Sequence, residues 1–266
     1  MTKKLIAIDL DGTTLNSQSL ISPRTAEVLN KATAAGHYVS IATGRPFRMS
    51  DHFYQQLKLE TPMVNFNGGL VHKPRQTWEY EREISLSKEI AFEILAQKEA
   101  LNLDFVAAEN RETFYIDTLE QFEGMFFASE NVSEANLLRN LTSNPTSLLI
   151  KTKHEFAANV ASSLQSQFDN EIDVRTWGGP NAILEIVPKG VQKAMAVSVI
   201  ADSLKIKTKD VVAFGDEHND LELLQYAGWG VAMKNGTEQL KGVANDVTTQ
   251  NNNEDDYQKI PKYTVS

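Results

Sequence analysis

Short apolar runs recur along the chain, and each breaks abruptly into small and acidic residues. Leu5-Ile6-Ala7-Ile8 runs into Asp9-Leu10-Asp11-Gly12-Thr13-Thr14-Leu15. Tyr38-Val39-Ser40-Ile41-Ala42 runs into Thr43-Gly44-Arg45-Pro46, and Met63-Val64-Asn65-Phe66 into Asn67-Gly68-Gly69. Val211-Val212-Ala213-Phe214 runs into Gly215-Asp216-Glu217-His218-Asn219-Asp220, and Gly230-Val231-Ala232-Met233 forms a further run. Runs of this length without alternation predict strands buried on both faces. Between them lie helical stripes. Ser22-Pro23 predicts an N-cap with proline at the first helical position, Ala26, Val28, Leu29 and Ala32 supply the apolar face, and Gly36 the stop. A second stripe carries Ala194, Val197, Ile200, Ala201 and Leu204, and a third Leu221, Leu223 and Leu224. Strand–helix alternation predicts an α/β fold with a doubly wound, Rossmann-like parallel sheet and right-handed crossovers.

The middle of the chain has another character. Lys88 to Leu101 predicts an amphipathic helix, Thr113 to Ile116 and Ser147 to Lys151 predict strands, and Glu155 to Phe168 a further helix. Asp173–Trp177 and Ala182–Val187 flank Gly178-Gly179-Pro180-Asn181, the pattern of a hairpin. The expected organisation is a core made of residues 1–83 and 186–266 and an inserted α/β cap of residues 84–185. Residues 248–256 are polar, and read either as a mobile loop or as an ordered one.

Composition narrows the function. At 266 residues, 41% hydrophobic and 23% charged, the chain can bury a sizeable core. A net charge of −9 argues against nucleic acid or an anionic membrane as the main partner, but leaves room for a small anionic substrate in a local site. The absence of cysteine excludes disulfides, thiolate nucleophiles and zinc–thiolate centres. No apolar run approaches the ~18 residues of a membrane span. The apolar run after Met1-Thr2-Lys3-Lys4 is too short for a signal peptide, so the expected location is the cytoplasm. The sequence does not predict an oligomeric state.

The chemistry concentrates at two strand ends. Ligands bind at the C-terminal edge of an open parallel sheet. Asp9, Asp11, Asp216 and Asp220 therefore read as carboxylates converging on one hard cation, with Mg²⁺ the natural choice for carboxylate, water and phosphate oxygens. Asp11-Gly12 alone is a common turn pair, and it is the coincidence of two such strand ends that carries weight. Phosphoryl transfer needs a nucleophile, a proton donor for the leaving oxygen and positive charge around the phosphoryl group. Asp9 can attack, Asp11 can act as general acid and then base, Thr43 offers a hydroxyl, and Lys193 an ammonium. Asp216 can hold the metal, and Asp220 can serve as a further ligand or orient its neighbours.

Asp9-x-Asp11-Gly12-Thr13, Thr43-Gly44-Arg45-Pro46, Lys189-Gly190-x-x-Lys193 and Gly215-Asp216-x-x-Asn219-Asp220 together resemble the four motifs of the haloacid-dehalogenase-like superfamily. Their order and wording, with Asn67-Gly68, resemble its Cof-like sugar-phosphatase branch over essentially the whole chain. The resemblance implies Asp9 as nucleophile and Mg²⁺ ligand, and Asp11 as acid/base that touches the metal through its backbone carbonyl. It implies Thr43 and Lys193 on phosphate, with the backbone N–H groups of Leu10 and Gly44, and Asn219 beside them. It implies Asp216 on Mg²⁺, and Asp220 supporting the metal or Lys193 from one layer out. The implied reaction is hydrolysis of small phosphorylated metabolites, sugar phosphates first, through an aspartyl-phosphate. A phosphomutase or other phosphotransferase using the same Asp9, and a non-catalytic regulator that binds phosphometabolites, are the alternatives.

Several residues stay open at this level. Thr13 either orients Asp9 or caps the turn, and Thr14 reads as packing where relatives carry an aliphatic residue. Arg45 reaches substrate or cap, or pairs structurally. Trp177 and Asn181, in the cap turn, are candidates for substrate contact, against a plain packing role for Trp177. His218 reads as a solvated side chain. Asn253-Glu254-Asp255-Asp256 resembles a late family motif, with Asp256 in place of glycine.

Overall fold

The computed structural model describes residues 2–119, 133–176 and 182–253. Chain proximity divides it into two units, one of Met1–Arg45, Ser50–Arg82 and Gln192–Ser266, the other of Pro46–Met49 and Glu83–Val191.

The first unit is built on a parallel five-stranded sheet. Its strands are β1 (Leu5–Ile8), β2 (Tyr38–Ile41), β11 (Val211–Gly215), β12 (Trp229–Ala232) and β13 (Asp246–Val247), in the order β13-β12-β11-β1-β2. The apolar run of β1 fits its interior place between β11 and β2, where all four of its side chains are buried. Helix α1 (Pro23–Ala34) starts as the sequence predicts, with the Ser22 hydroxyl accepting from Thr25 N at 3.1 Å and Pro23 at the first position. Helices α5 (Lys193–Ser203), α6 (Leu221–Tyr226) and α7 (Glu238–Val243) add Val197, Ile200, Leu223, Leu224 and Leu240 to one cluster with Leu5, Ala7, Val211 and Ala213.

The third predicted strand departs from the parallel pattern. β3 (Met63–Asn65) touches the main sheet through a single parallel bridge, Ala42 to Val64. Its main partner is β4 (Leu70–His72), antiparallel across the tight Phe66–Gly69 turn, in a small sheet with β5 (Arg82–Glu83). The Asn67-Gly68-Gly69 sequence that ends the strand therefore makes a hairpin instead of a crossover. Helix α2 (Phe47–Gln56) follows the Thr43–Pro46 turn.

The second unit is an antiparallel sheet with two helices. β6 (Leu103–Glu109), β7 (Phe114–Ile116), β8 (Ser147–Thr152), β9 (Ile172–Thr176) and β10 (Ala182–Pro188) lie in the order β7-β6-β8-β10-β9. Helices α3 (Lys88–Ala96) and α4 (His154–Gln167) cover one face through Ile90, Ile94, Val160 and Leu164 against Val106, Leu148, Ile150 and Leu184. The other face carries Phe105, Ala107, Phe114, Leu149 and Ile183. β9 and β10 pair antiparallel, as a hairpin requires, while Trp177 and Asn181 in the connecting turn lie outside the described residues. Glu254, Asp255 and Asp256 lie outside them too. Among the described residues, no helix is long and apolar enough to cross a membrane.

Candidate active site

Strand register assembles the site. β1 pairs with β11 as Ile8 to Phe214 and with β2 as Ile8 to Ile41. Asp9 N donates to Phe214 O at 3.1 Å, and Ala42 N to Ile8 O at 2.8 Å. Asp9, Thr43 and Asp216 therefore emerge at the same C-terminal sheet edge. Helix α5 starts with Lys193 at that edge, where Lys193 Nζ donates to Asp9 Oδ1 at 2.6 Å and to Asp220 Oδ1 at 2.7 Å. Lys193, Asp9 and Asp220 are all buried.

Asp220 ties the fourth motif together. Its second oxygen accepts from Asp216 N at 3.0 Å and Glu217 N at 3.2 Å. A side chain at Gly215 would collide with it, since an added Cβ would lie 2.4 Å from Asp220 Cγ. Gly12 is constrained twice: its φ is +72°, and an added Cβ would lie 2.0 Å from Asp216 Oδ2. Thr13, for which the sequence leaves two roles open, takes a third and donates from Oγ1 to Asp216 Oδ1 at 2.8 Å. Thr14 is buried, and its hydroxyl donates to the Asp9 carbonyl.

The electrostatics follow from burying three carboxylates around one ammonium. Burial drives the Asp9 carboxyl well above its ordinary pKa; Lys193 opposes this, while Asp220, Asp216 and Asp11 add to it. Burial and then Asp220 push the Asp216 carboxyl up to about 7, against the Thr13 hydrogen bond and Lys193. Burial acts to lower the Lys193 pKa, but Asp220 and Asp9 outweigh it and hold the group above the ordinary lysine value. Asp9, Asp216 and Asp220 each offer an oxygen within 4.8 Å of the others, enough for them to hold one metal ion. Three buried hard oxygen donors around the Lys193 ammonium suit a divalent cation.

The second motif and the β3–β4 turn form the other side of the site. Thr43 is buried, and its hydroxyl accepts from Arg45 N at 3.1 Å. Asn67, at φ +54°, donates from its backbone N to Thr43 O at 3.1 Å. Its Oδ1 accepts from Asn219 Nδ2 at 2.8 Å, and its amide packs against Gly44. Asn67 thus joins the second and fourth motifs, a role that its place in the sequence does not announce. The Asp11 side chain stands apart from the carboxylate cluster, in an ion pair with Arg45. His218 is half exposed, as its sequence position suggests. Asn235 Nδ2 donates to Gly12 O and Asn252 Nδ2 to Leu15 O, both at 2.8 Å, so residues 251–253 tie back to the Asp9 loop.

The model of the haloacid dehalogenase-like hydrolases matches residues 6–256. The chain belongs to this family. It is a phosphatase of that family. It is 37% identical over 249 residues to the 5-amino-6-(5-phospho-D-ribitylamino)uracil phosphatase YitU of Bacillus subtilis, covering 93% of this chain and 92% of the relative. A second B. subtilis relative of the same activity, YwtE, is 27% identical, covering 93% of each chain. Among solved structures, a haloacid dehalogenase-like hydrolase from Bacteroides thetaiotaomicron superposes with a TM-score of 0.82 at 26% identity, covering 96% of both chains. A protein from Thermotoga maritima gives 0.80 at 27% identity, covering 96% of this chain and 94% of the other.

Proposed function

We propose that this phosphatase is a cytoplasmic, Mg²⁺-dependent phosphomonoesterase that works through Asp9, and that its substrates are small phosphorylated metabolites, sugar and polyol phosphates first. The observation that supports this best is the Lys193 ammonium held between Asp9 and Asp220, beside Asp216. When bound by Asp9 and Asp216, Mg²⁺ supplies positive charge to the phosphoryl oxygens. Lys193 fixes one oxygen of Asp9 and adds a second positive charge where the phosphoryl group sits. The Thr43 hydroxyl, the Asn219 amide and the N–H groups of Leu10 and Gly44 complete the phosphate cradle.

In the first step a carboxylate oxygen of Asp9 bonds to phosphorus and the ester P–O bond breaks. Asp11 gives its proton to the leaving alkoxide. In the second step Asp11 takes a proton from water, the water oxygen bonds to phosphorus, and the Asp9–phosphorus bond breaks to release phosphate. Asp220 keeps Lys193 in place throughout. The relative at 37% identity is named for a phosphate carried on a ribityl chain, which makes 5-phosphoribitylamino compounds the first substrates to try. Cap residues, including the candidates Trp177 and Asn181, would select among esters.

The test is phosphate release from a panel of sugar, polyol and nucleoside monophosphates with Mg²⁺, together with the product of a sugar bisphosphate. Stoichiometric free phosphate supports a hydrolase. Phosphate transferred to a second hydroxyl without release supports a mutase. Binding without turnover across the panel supports a regulator.

A further inference from the structure

The Arg45–Asp11 pair has a geometry that general electrostatic attraction does not require. Arg45 Nε donates to Asp11 Oδ2 at 2.7 Å and Nη2 to Oδ1 at 2.5 Å, so the guanidinium grips both carboxylate oxygens in a fork. The two ends of the pair differ sharply in freedom. The Arg45 side chain is 12% exposed and that of Asp11 58%. The Arg45 backbone is held at both ends: its N–H donates to Thr43 Oγ1, and its carbonyl accepts from Phe66 N and Asn65 Nδ2. Its guanidinium carbon lies 5.5 Å from the centre of the buried Phe53 ring. Among the described residues, no other side-chain hydrogen bond to the Asp11 carboxylate is present. An exposed carboxyl on a loop samples several rotamers, and a proton donor must occupy one of them.

We propose that Arg45 is the positioning residue for Asp11. The fork sets the plane and rotamer of the carboxyl group relative to the Asp9 loop. It leaves a lone-pair site free on each oxygen for the proton that passes to the leaving alkoxide or comes from water. Lysine, a single point charge on a flexible stem, cannot impose that plane. The inference rests on the reading of Asp11 as general acid and base.

The experiment measures kcat and KM for p-nitrophenyl phosphate and for glycerol 2-phosphate, with saturating Mg²⁺. A nitrophenolate leaves without a proton, whereas an alkoxide needs one. Acid catalysis is worth ~10²–10⁴-fold, so Arg45→Met should lower kcat on the alkyl ester about 10-fold or more beyond any loss on the aryl ester, with KM little changed. Arg45→Lys, which keeps charge and most of the volume, should show a smaller loss of the same selective kind. It decides the matter if Arg45→Met does not fold. The double variant Asp11→Asn/Arg45→Met should be no worse on the alkyl ester than Asp11→Asn alone. Equal loss on both esters in the Arg45 variants, or a raised KM with kcat kept, overturns the positioning role. If Asp11→Asn itself loses both esters equally, the acid/base reading of Asp11 fails instead.

Discussion

Lys193 Nζ lies 2.6 Å from Asp9 Oδ1, with both side chains withdrawn from solvent. Removing one partner of a buried ion pair costs about 3–5 kcal/mol, because the other charge is left uncompensated. Lys193→Met should therefore destabilise the fold by roughly that amount and abolish turnover. Asp9→Asn should abolish turnover while leaving the chain folded, since Lys193 keeps Asp220 and the amide oxygen still accepts. Thermal unfolding and phosphate release on the two variants check this. Near-normal activity in Asp9→Asn contradicts the nucleophile role.

The Thr13–Asp216 hydrogen bond predicts how metal affinity is tuned. Thr13 fixes the carboxylate that the proposal assigns to Mg²⁺. Loss of such a supporting partner costs ~10–100-fold in metal affinity. Thr13→Val should raise the half-saturating Mg²⁺ by about 10-fold with kcat at saturation nearly kept, and Asp216→Ala should raise it much further. Exhaustive chelation should silence the enzyme and added Mg²⁺ restore it. Full activity after chelation rejects the hard-cation site.

Much of this was legible in the sequence, and the reasons are local. The β1 and β11 runs, the Ser22-Pro23 cap and the acidic strand ends follow from neighbours a few residues apart. What the sequence hides is tertiary. Thr13 and Asp216 are 203 positions apart, and nothing near Thr13 says that its hydroxyl turns to Asp216 and away from Asp9. Arg45 finds Asp11 across 34 positions. Strand β6 escapes pattern reading because Asp104, Ala107, Ala108 and Glu109 have weak strand preference, and burial between β7 and β8 overrides it. The stripe that predicts a helix out to Leu101 likewise ends at Ala96 in the structure, and the chain turns at Gln97–Leu101 to enter β6.

Gly12 offers a test of backbone geometry. Its φ of +72° costs a residue with a side chain about 1–2 kcal/mol, and an added Cβ would meet the Asp216 carboxylate at 2.0 Å. Gly12→Ala should lower stability by at least about 1–2 kcal/mol and displace Asp216, so the Mg²⁺ requirement rises together with the loss of stability. Gly242→Ala, in helix α7, where an added Cβ meets nothing within 4 Å, is the control: it should leave the Mg²⁺ dependence unchanged and raise stability by about 0.5–1 kcal/mol through helix propensity. A Gly12→Ala protein with wild-type melting and wild-type Mg²⁺ dependence contradicts the close approach.

The last prediction concerns the second unit and pH. Glu109, at the end of β6, is buried and ion-paired to Arg48 at 2.6 Å. Burial nevertheless pushes its carboxyl up to about 7, with Arg48 opposing and the buried Glu185 adding to the rise. A folded-state value above the ordinary 4.5 means that the native chain binds more protons than the unfolded chain between those two pH values. Stability from this group is therefore present below about 4.5 and lost as pH rises through about 7. Glu109→Gln keeps the shape and an acceptor for Arg48 but cannot titrate. The variant should flatten the fall in stability between pH 5 and pH 7 that wild type shows, measured by urea unfolding at fixed ionic strength. Arg48→Met should steepen the same fall, because it removes the charge that favours the carboxylate and leaves the burial cost in place. Identical slopes in wild type and Glu109→Gln would place the titration of Glu109 outside this window and return the Arg48 pair to an ordinary ion pair, charged throughout.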